Sequence, residues 1–300
     1  MKKLILLAGI ILGLSHITSA QVSVSEENDI KNFRFGLKGG LSFDWMNVDN
    51  DKKFTSGGVG VGYHWGLQLE FRLNKTLSFV SGLSLTTNNL KINYTGASSA
   101  DTVLYILDKD ENFVDFGGDT TSIFASMLTS TNNVYWLKER SIKANYVNIP
   151  ITLKMKTKEI GYFTYFGQFG LNIGIRTGAK TNDVVQKITF EEDSLVNTAS
   201  FYGSNTKINP EDITLEKLDL TSAIQPVRLG LKIGGGAEYN FSGSTSMYFE
   251  VNYNHYFTNG LRKDTKETYL NALDFVDKAF ENIGAKAIPG SVSLTVGVLF

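Results

Sequence analysis

Ser291 to Phe300 read S-V-S-L-T-V-G-V-L-F. Val292, Leu294, Val296, Val298 and Phe300 alternate with Ser291, Ser293, Thr295, Gly297 and Leu299. A strict two-residue period places successive side chains on opposite faces of an extended strand. One face here is apolar and ends on an aromatic, while the other is mostly small or polar. A strand that meets lipid on one side and a crowded interior on the other has this pattern, and it reads as the last strand of an outer-membrane β-barrel.

The same alternation recurs upstream. Phe33, Phe35, Leu37, Gly39, Leu41, Phe43 and Trp45 alternate with Arg34, Gly36, Lys38, Gly40, Ser42 and Asp44. In Val59 to Leu73 the apolar set alternates with Gly60, Gly62, His64, Gly66, Gln68, Glu70 and Arg72. Further runs cover Leu77 to Thr87, Tyr146 to Lys156, Gly161 to Arg176, Val227 to Phe241 and Met247 to Phe257. With the terminal strand this makes eight, an even number, as bacterial barrels require. The connections at Asn74-Lys75, Thr157 to Ile160 and Ser242 to Ser246 are short. Those at about 47–58, 88–145, 177–226 and 258–289 are longer. Short turns on the periplasmic side and long loops outside put both termini in the periplasm. Pro150 has no N–H to give a ladder, so a bulge or local unpairing is expected around it.

The start of the chain agrees with export. Residues 1–20 carry Lys2 and Lys3, an apolar run from Leu4 to Leu14 and the small exit Thr18-Ser19-Ala20, a cleavable secretory signal in composition. Residues 21–32 read as a short periplasmic lead and residues 33–300 as the barrel. Cysteine is absent, which excludes a lipid-anchored precursor and a disulfide scaffold. A net charge of -1 and a pI near 6.3 point to no nucleic-acid partner. Mean hydropathy is -0.08, and no later stretch is apolar for long enough to form a spanning helix.

Four stretches resemble the small outer-membrane β-barrels of Bacteroidota, the group that includes PorT-like proteins. They are F-G-L-K-G-G-L-S-F (Phe35 to Phe43), Y-V-N-I-P-I-T-L-K (Tyr146 to Lys154), L-K-I-G-G-G-A-E-Y (Leu231 to Tyr239) and the terminal Phe300. The resemblance implies an all-β, eight-stranded antiparallel transmembrane barrel. It further implies a role as accessory to a transport or secretion assembly. The motifs themselves encode strand packing and are nearly silent on activity.

Parity assigns a lumen. Arg34, Lys38, Arg72, Lys154, Lys156, Arg176, Arg228 and Lys232 fall inside or at the rims, with Asp44, His64, Glu70, Glu238 and Glu250. A Lys or Arg on the lipid face would cost about 2–4 kcal/mol at the midplane, which explains why the outward set is nearly uncharged. A hairpin of the first two runs puts Arg34 opposite Glu70. Two readings of this lumen stay open. An eight-stranded barrel is just wide enough to be filled by side chains, so the charges can form an interior plug. Alternatively they line a narrow pore favouring anions.

No catalytic residue stands out. Outside the leader there are two histidines, His64 inward and His255 outward near Tyr253 and Phe257, too few and too far apart for a zinc site. No Gly-x-Ser-x-Gly elbow occurs. In the last loop Asp264 and Glu267 form a capping box ahead of Tyr269, Leu273, Val276 and Phe280, an apolar stripe at helical spacing that stops at Gly284. That helix is either a lid or a docking face for a partner. Asn209-Pro210-Glu211-Asp212 has the form of a second helix start. The acids Asp108, Asp110, Glu111, Asp115 and Asp119 have spacing that could hold calcium but lack the Gly and final Glu of an EF-hand loop. Aromatics cluster at both strand ends, as interfacial belts do.

The expectation is therefore a monomeric barrel embedded in outer-membrane lipid, with long, partly helical extracellular loops and no cofactor. Its loops make surface or envelope contacts, with a protein partner reached through them. The alternatives are a narrow porin-like channel for small anions and an outer-membrane enzyme with its site at the rim. A soluble lipocalin-like carrier would leave eight apolar outer faces in water.

Overall fold

The structure is a computed structural model that describes residues 32–48, 54–94, 103–114, 133–190, 206–242, 245–262 and 286–300. Its strands are β1 (Phe33–Val48), β2 (Thr55–Arg72), β3 (Leu77–Asn93), β4 (Val103–Leu107), β5 (Asn133–Lys156), β6 (Phe163–Phe190), β7 (Thr206–Asp219), β8 (Val227–Ser242), β9 (Thr245–Tyr256) and β10 (Ala287–Leu299). All neighbours pair antiparallel. The order is β4-β5-β3-β2-β1-β10-β9-β8-β6-β7, and β5 also pairs with β6. That additional pairing closes β1, β2, β3, β5, β6, β8, β9 and β10 into an eight-membered ring. The ring coincides with the eight alternating runs of the sequence.

Closure removes the sheet edges, so the backbone groups of the apolar zone pair along the ladders within the protein, apart from a gap around Pro150. β1 and β10 are joined from Gly36↔Leu299 to Val48↔Ala287. Phe300 N–H adds a bond of 2.8 Å to the Phe35 carbonyl. The outward positions of β1 are exposed aromatics and aliphatics, with Leu37 at 62% and Leu41 at 51%. An apolar surface of this extent on a water-soluble protein would aggregate, and it suits a lipid surround.

Aromatic belts bracket that surface. At the end bearing the short turns, Phe33 packs on Phe71 at 5.0 Å between ring centroids, Phe35 on Phe300 at 5.8 Å and Phe163 on Tyr239 at 5.1 Å. At the opposite, loop end, Trp45 stacks on Tyr253 at 6.2 Å, and His255 lies between Tyr253 and Phe257. About ten residues of β1 separate the belts. With a rise of ~3.3 Å and a tilt of ~40°, they span about 25 Å, the height of an outer-membrane apolar band.

Two features correct the sequence reading. Segments 88–145 and 177–226 are in part strand: β3 runs on to Asn93, β5 begins at Asn133, β6 reaches Phe190, and β4 and β7 are added. Above the ring, β4, β5, β6 and β7 lie side by side as a four-stranded sheet. The expected helix at Asn209-Pro210-Glu211-Asp212 is instead part of β7. Its pairing with β6 slips between Gln186↔Asp212 and Ile188↔Ile208, so Pro210 falls in a bulge where no ladder donor is needed. The residues that favoured a cap therefore serve a break in an edge strand. The capping box at Asp264 and the stripe Tyr269, Leu273, Val276 and Phe280 lie outside the described residues, as do residues 1–20, Asp115 and Asp119.

Pro150 interrupts the ladder as expected. β3 and β5 pair at Val80↔Thr152 and resume at Ser84↔Asn148, leaving the rungs between them unmade. The residue facing Pro150 across the gap is Gly82, whose φ of +147° suits glycine and whose Cβ, were there one, would press on the Leu67 carbonyl. On the other side, Pro150 stays in register with Asn172 of β6.

Candidate functional site

The inward side chains form three tiers. The tier at the turn end is an ion cluster. Arg34 of β1 donates to Glu70 of β2 at 2.8 Å and to Glu238 of β8 at 3.0 Å. Lys154 of β5 reaches Glu70 at 3.3 Å and also contacts Glu238. Lys156 lies 2.5 Å from Glu70 and 3.0 Å from Glu238. Ser78 and Ser246 complete the hydrogen bonding. The Lys154 ammonium also sits 3.9 Å from the centre of the Phe166 ring, a cation–π contact in a dry setting. Arg72 is half-buried at the rim and is not part of these ion pairs.

The middle tier is polar and holds a cavity of about 50 Å³. At roughly 10–15 Å³ per water, that is room for about four. Lys38, His64, Lys232, Glu250, Asn252 and Thr295 are among its lining residues. Glu250 accepts from Gln168 at 2.9 Å and Asn252 at 2.8 Å, with Lys232 at a looser 3.6 Å. The His64 Nε2 and the Thr295 hydroxyl are 3.0 Å apart. Tyr248, buried beside Gly297, donates to Gln68 at 2.9 Å. A Cβ at Gly297 would overlap the Tyr248 ring, so glycine there lets the phenol cross the lumen.

The upper tier closes the lumen towards the loops. The Arg228 guanidinium lies between the rings of Tyr146 and Tyr256, 3.7 and 4.2 Å from their centroids. Asp44 accepts from Ser42 at 3.1 Å, from Asn88 at 2.7 Å and from the Asn89 backbone at 3.1 Å. Arg176 donates to the carbonyls of Thr221 and Ile224, tying a short 3-10 turn (Thr221–Ala223) to the barrel rim.

Above this tier the interior changes character. Met46, Phe54, Ile92, Tyr105, Leu137, Ile142, Val185, Leu220 and their neighbours form a continuous apolar core within the cap. Buried inside it, Arg140 holds Asp183 at 2.7 and 3.0 Å, with the guanidinium 5.7 Å from the rings of Tyr105 and Phe113. The sequence reading does not contain this pair. Its signal is present in the alternation of Tyr135, Leu137, Ile142 and Ala144, but a slip in the β5–β6 ladder between Leu137 and Glu139 breaks the parity on which such a reading depends. On the outer sheet, Lys138 reaches Asp212 at 2.7 Å, and that hydrogen bond leads the causes holding the Asp212 carboxyl below its usual range. Asp108 accepts from the backbone of Asp110 and Asn112 at 2.9 Å, so this acid is engaged in shaping its own turn. Among the described residues, no group of three or more His, Cys, Asp or Glu is placed to hold a metal.

A family model described as "Outer membrane protein beta-barrel domain" matches residues 19–216, about two thirds of the chain. The chain belongs to this outer-membrane β-barrel family. Membership places it in the outer membrane, with lipid around the apolar belt. No curated protein matches the chain. Similar solved structures include Ail, the attachment invasion locus protein of Yersinia pestis, at 9% identity and TM-score 0.31, covering 89% of this chain and 98% of Ail. Neisserial surface protein A matches at 10% identity and TM-score 0.34, covering 88% and 95% of the two chains. A major outer membrane protein from Thermus thermophilus matches at 12% identity and TM-score 0.34, covering 89% and 98%. Identities and scores this low add nothing to the family assignment, which rests on the family model and on the ring of strands.

Proposed function

We propose that this outer-membrane barrel is a non-enzymatic envelope protein that acts through its cap, making contacts with another envelope component or an external partner. The observation that carries this reading is the filled lumen. An ion cluster spans one end, an apolar core fills the other, and the cavity between them holds only a few waters. What remains for recognition is the outer face of the β4–β7 sheet and the loops around it. In this reading the short turns and both termini face the periplasm, and the barrel works as a monomer. The resemblance to PorT-like barrels adds the finer suggestion of an accessory to a transport or secretion assembly.

The second reading, a narrow channel for small anions, is favoured by one observation: cationic side chains outnumber acidic ones along the lumen, with Lys38 and Lys232 at its mid-height. The refolded chain without residues 1–20, placed in planar bilayers beside its Lys38→Ala and Lys232→Ala variants, separates the two. A silent membrane containing protein of folded, heat-modifiable mobility supports the contact role. Reproducible anion-selective steps, altered by either substitution, would replace it with the channel.

A further inference from the structure

We infer that the mid-lumen cavity is a binding site for one small monovalent anion of halide size, held between the ammonium groups of Lys38 and Lys232. The inference is independent of the contact role above, since an interior ion site serves a capped barrel and a conducting one alike.

Lys38 carries the argument. It is only 8% exposed and lines the cavity, yet no hydrogen bond or ion pair joins its ammonium to any described residue. A buried ammonium without a partner gives up its hydration uncompensated. Every other buried cation of the lumen has an answer in the protein. Arg34, Lys154 and Lys156 share two carboxylates, Arg228 has two aromatic rings, and Lys232 leans on Glu250. Glu250 lies in the field of both lysines but makes no hydrogen bond or ion pair with Lys38; its oxygens accept from Gln168 and Asn252.

The charge count points the same way. The cavity wall carries two ammonium groups and one carboxylate, with His64 engaged by Thr295. One bound monovalent anion restores neutrality, whereas a cation or a multivalent anion does not. The rest of the wall suits a small ion. Ser84, Ser293, Thr295 and Asn254 offer hydroxyl and amide donors, and room for about four waters admits a halide but not a sugar. The Tyr146–Arg228–Tyr256 stack lies on the loop side of this site, with Tyr256 in its wall.

The test compares thermal unfolding of the detergent-refolded chain in sodium bromide and in sodium gluconate at equal ionic strength, together with anomalous diffraction from crystals grown in bromide. Bromide should stabilise the fold saturably, shifting the folding equilibrium about tenfold at ten times its dissociation constant. Gluconate is too large to enter and should do nothing beyond screening. Lys38→Met should abolish the bromide dependence while keeping heat-modifiable mobility, and Lys138→Met on the outer sheet should leave it intact. An anomalous peak between Lys38 Nζ and Lys232 Nζ would locate the ion. Equal unfolding curves in the two salts, or a cavity without an anomalous peak, would overturn the inference. If Lys38→Met does not fold, the wild-type curves and the diffraction decide the question.

Discussion

Glu70 and Glu238 sit on strands directly across the barrel from each other and are bound by the same three cations, Arg34, Lys154 and Lys156. β2 and β8 are four strands apart whichever way the ring is followed. The cluster therefore acts as a cross-brace, joining opposite walls through groups contributed by β1 and β5. Its charge is uneven, three cations to two carboxylates, so the loss of an acid should hurt more than the loss of a rim lysine.

Glu70→Gln should cost about 3–5 kcal/mol of stability, because it strands buried cations. Lys156→Met balances the charges and should cost less. Adding Lys156→Met to Glu70→Gln should recover at least about 1 kcal/mol, within the range measured for coupled neighbours. Urea unfolding in lipid vesicles, followed by heat-modifiable migration, reads all three. Strict additivity would mean that the two side chains do not share one network.

The lipid boundary can be probed on β1. Leu41 faces outward near mid-height, and Leu41→Arg should destabilise the folded barrel in vesicles by about 2–4 kcal/mol. Thr214→Arg on the exposed face of β7, above the belt, should change stability by less than about 0.5 kcal/mol. Equal effects at the two sites would contradict the assignment of the belt.

Leu137 is wholly buried in the cap core. Leu137→Ala should cost about 2–5 kcal/mol. The damage should appear as faster proteolysis at the loop end, with the ring of eight strands keeping its folded migration. A variant whose cap stays as protease-resistant as the parent would show that the apolar core does not hold the cap.

The pair Lys138–Asp212 joins β5 to the edge strand β7. Hydrogen bonds from Lys138, and to a lesser degree from Gln186, keep the Asp212 carboxyl below its usual range. A carboxyl depressed in the folded state stabilises above its unfolded pKa of about 3.9, and the stabilisation is lost as pH falls through the lower folded value. Protection of the β7 amides, measured by hydrogen exchange and corrected for intrinsic rates, should decline below about pH 4. Asp212→Asn should flatten that decline, and high salt should weaken the effect at neutral pH. A decline unchanged in Asp212→Asn would assign it elsewhere.

The ring was legible because each of its strands has to satisfy lipid on one face and a crowded interior on the other. That double demand writes period two into β1, β2 and β10 without relief. Arg34 and Glu70 could be paired in advance because β1 and β2 are consecutive, alternate without interruption and pair as a hairpin. The cap was not legible for the opposite reason. Its strands face water outside, so their outer positions are free to be Lys, Thr or Asn, and slips at Leu137/Glu139 and Gln186/Ile188 reset the phase. Asn209-Pro210 shows how a local signal misleads there, since residues that begin helices also suit a bulge. The tie between Glu70 and Glu238 was hidden too, because a contact across the ring is set by barrel diameter and not by spacing along the chain.

The β4–β7 sheet has a consequence for how such a surface can change over generations. Leu137, Ile142, Ala179 and Val185 are committed to the core, while Lys143, Lys180, Asn182, Thr214 and Glu216 look outward. Substitution can run freely only at every second residue, so in the proposed orientation selection acting from outside the cell would redraw one face of this sheet in alternate letters and leave the other intact.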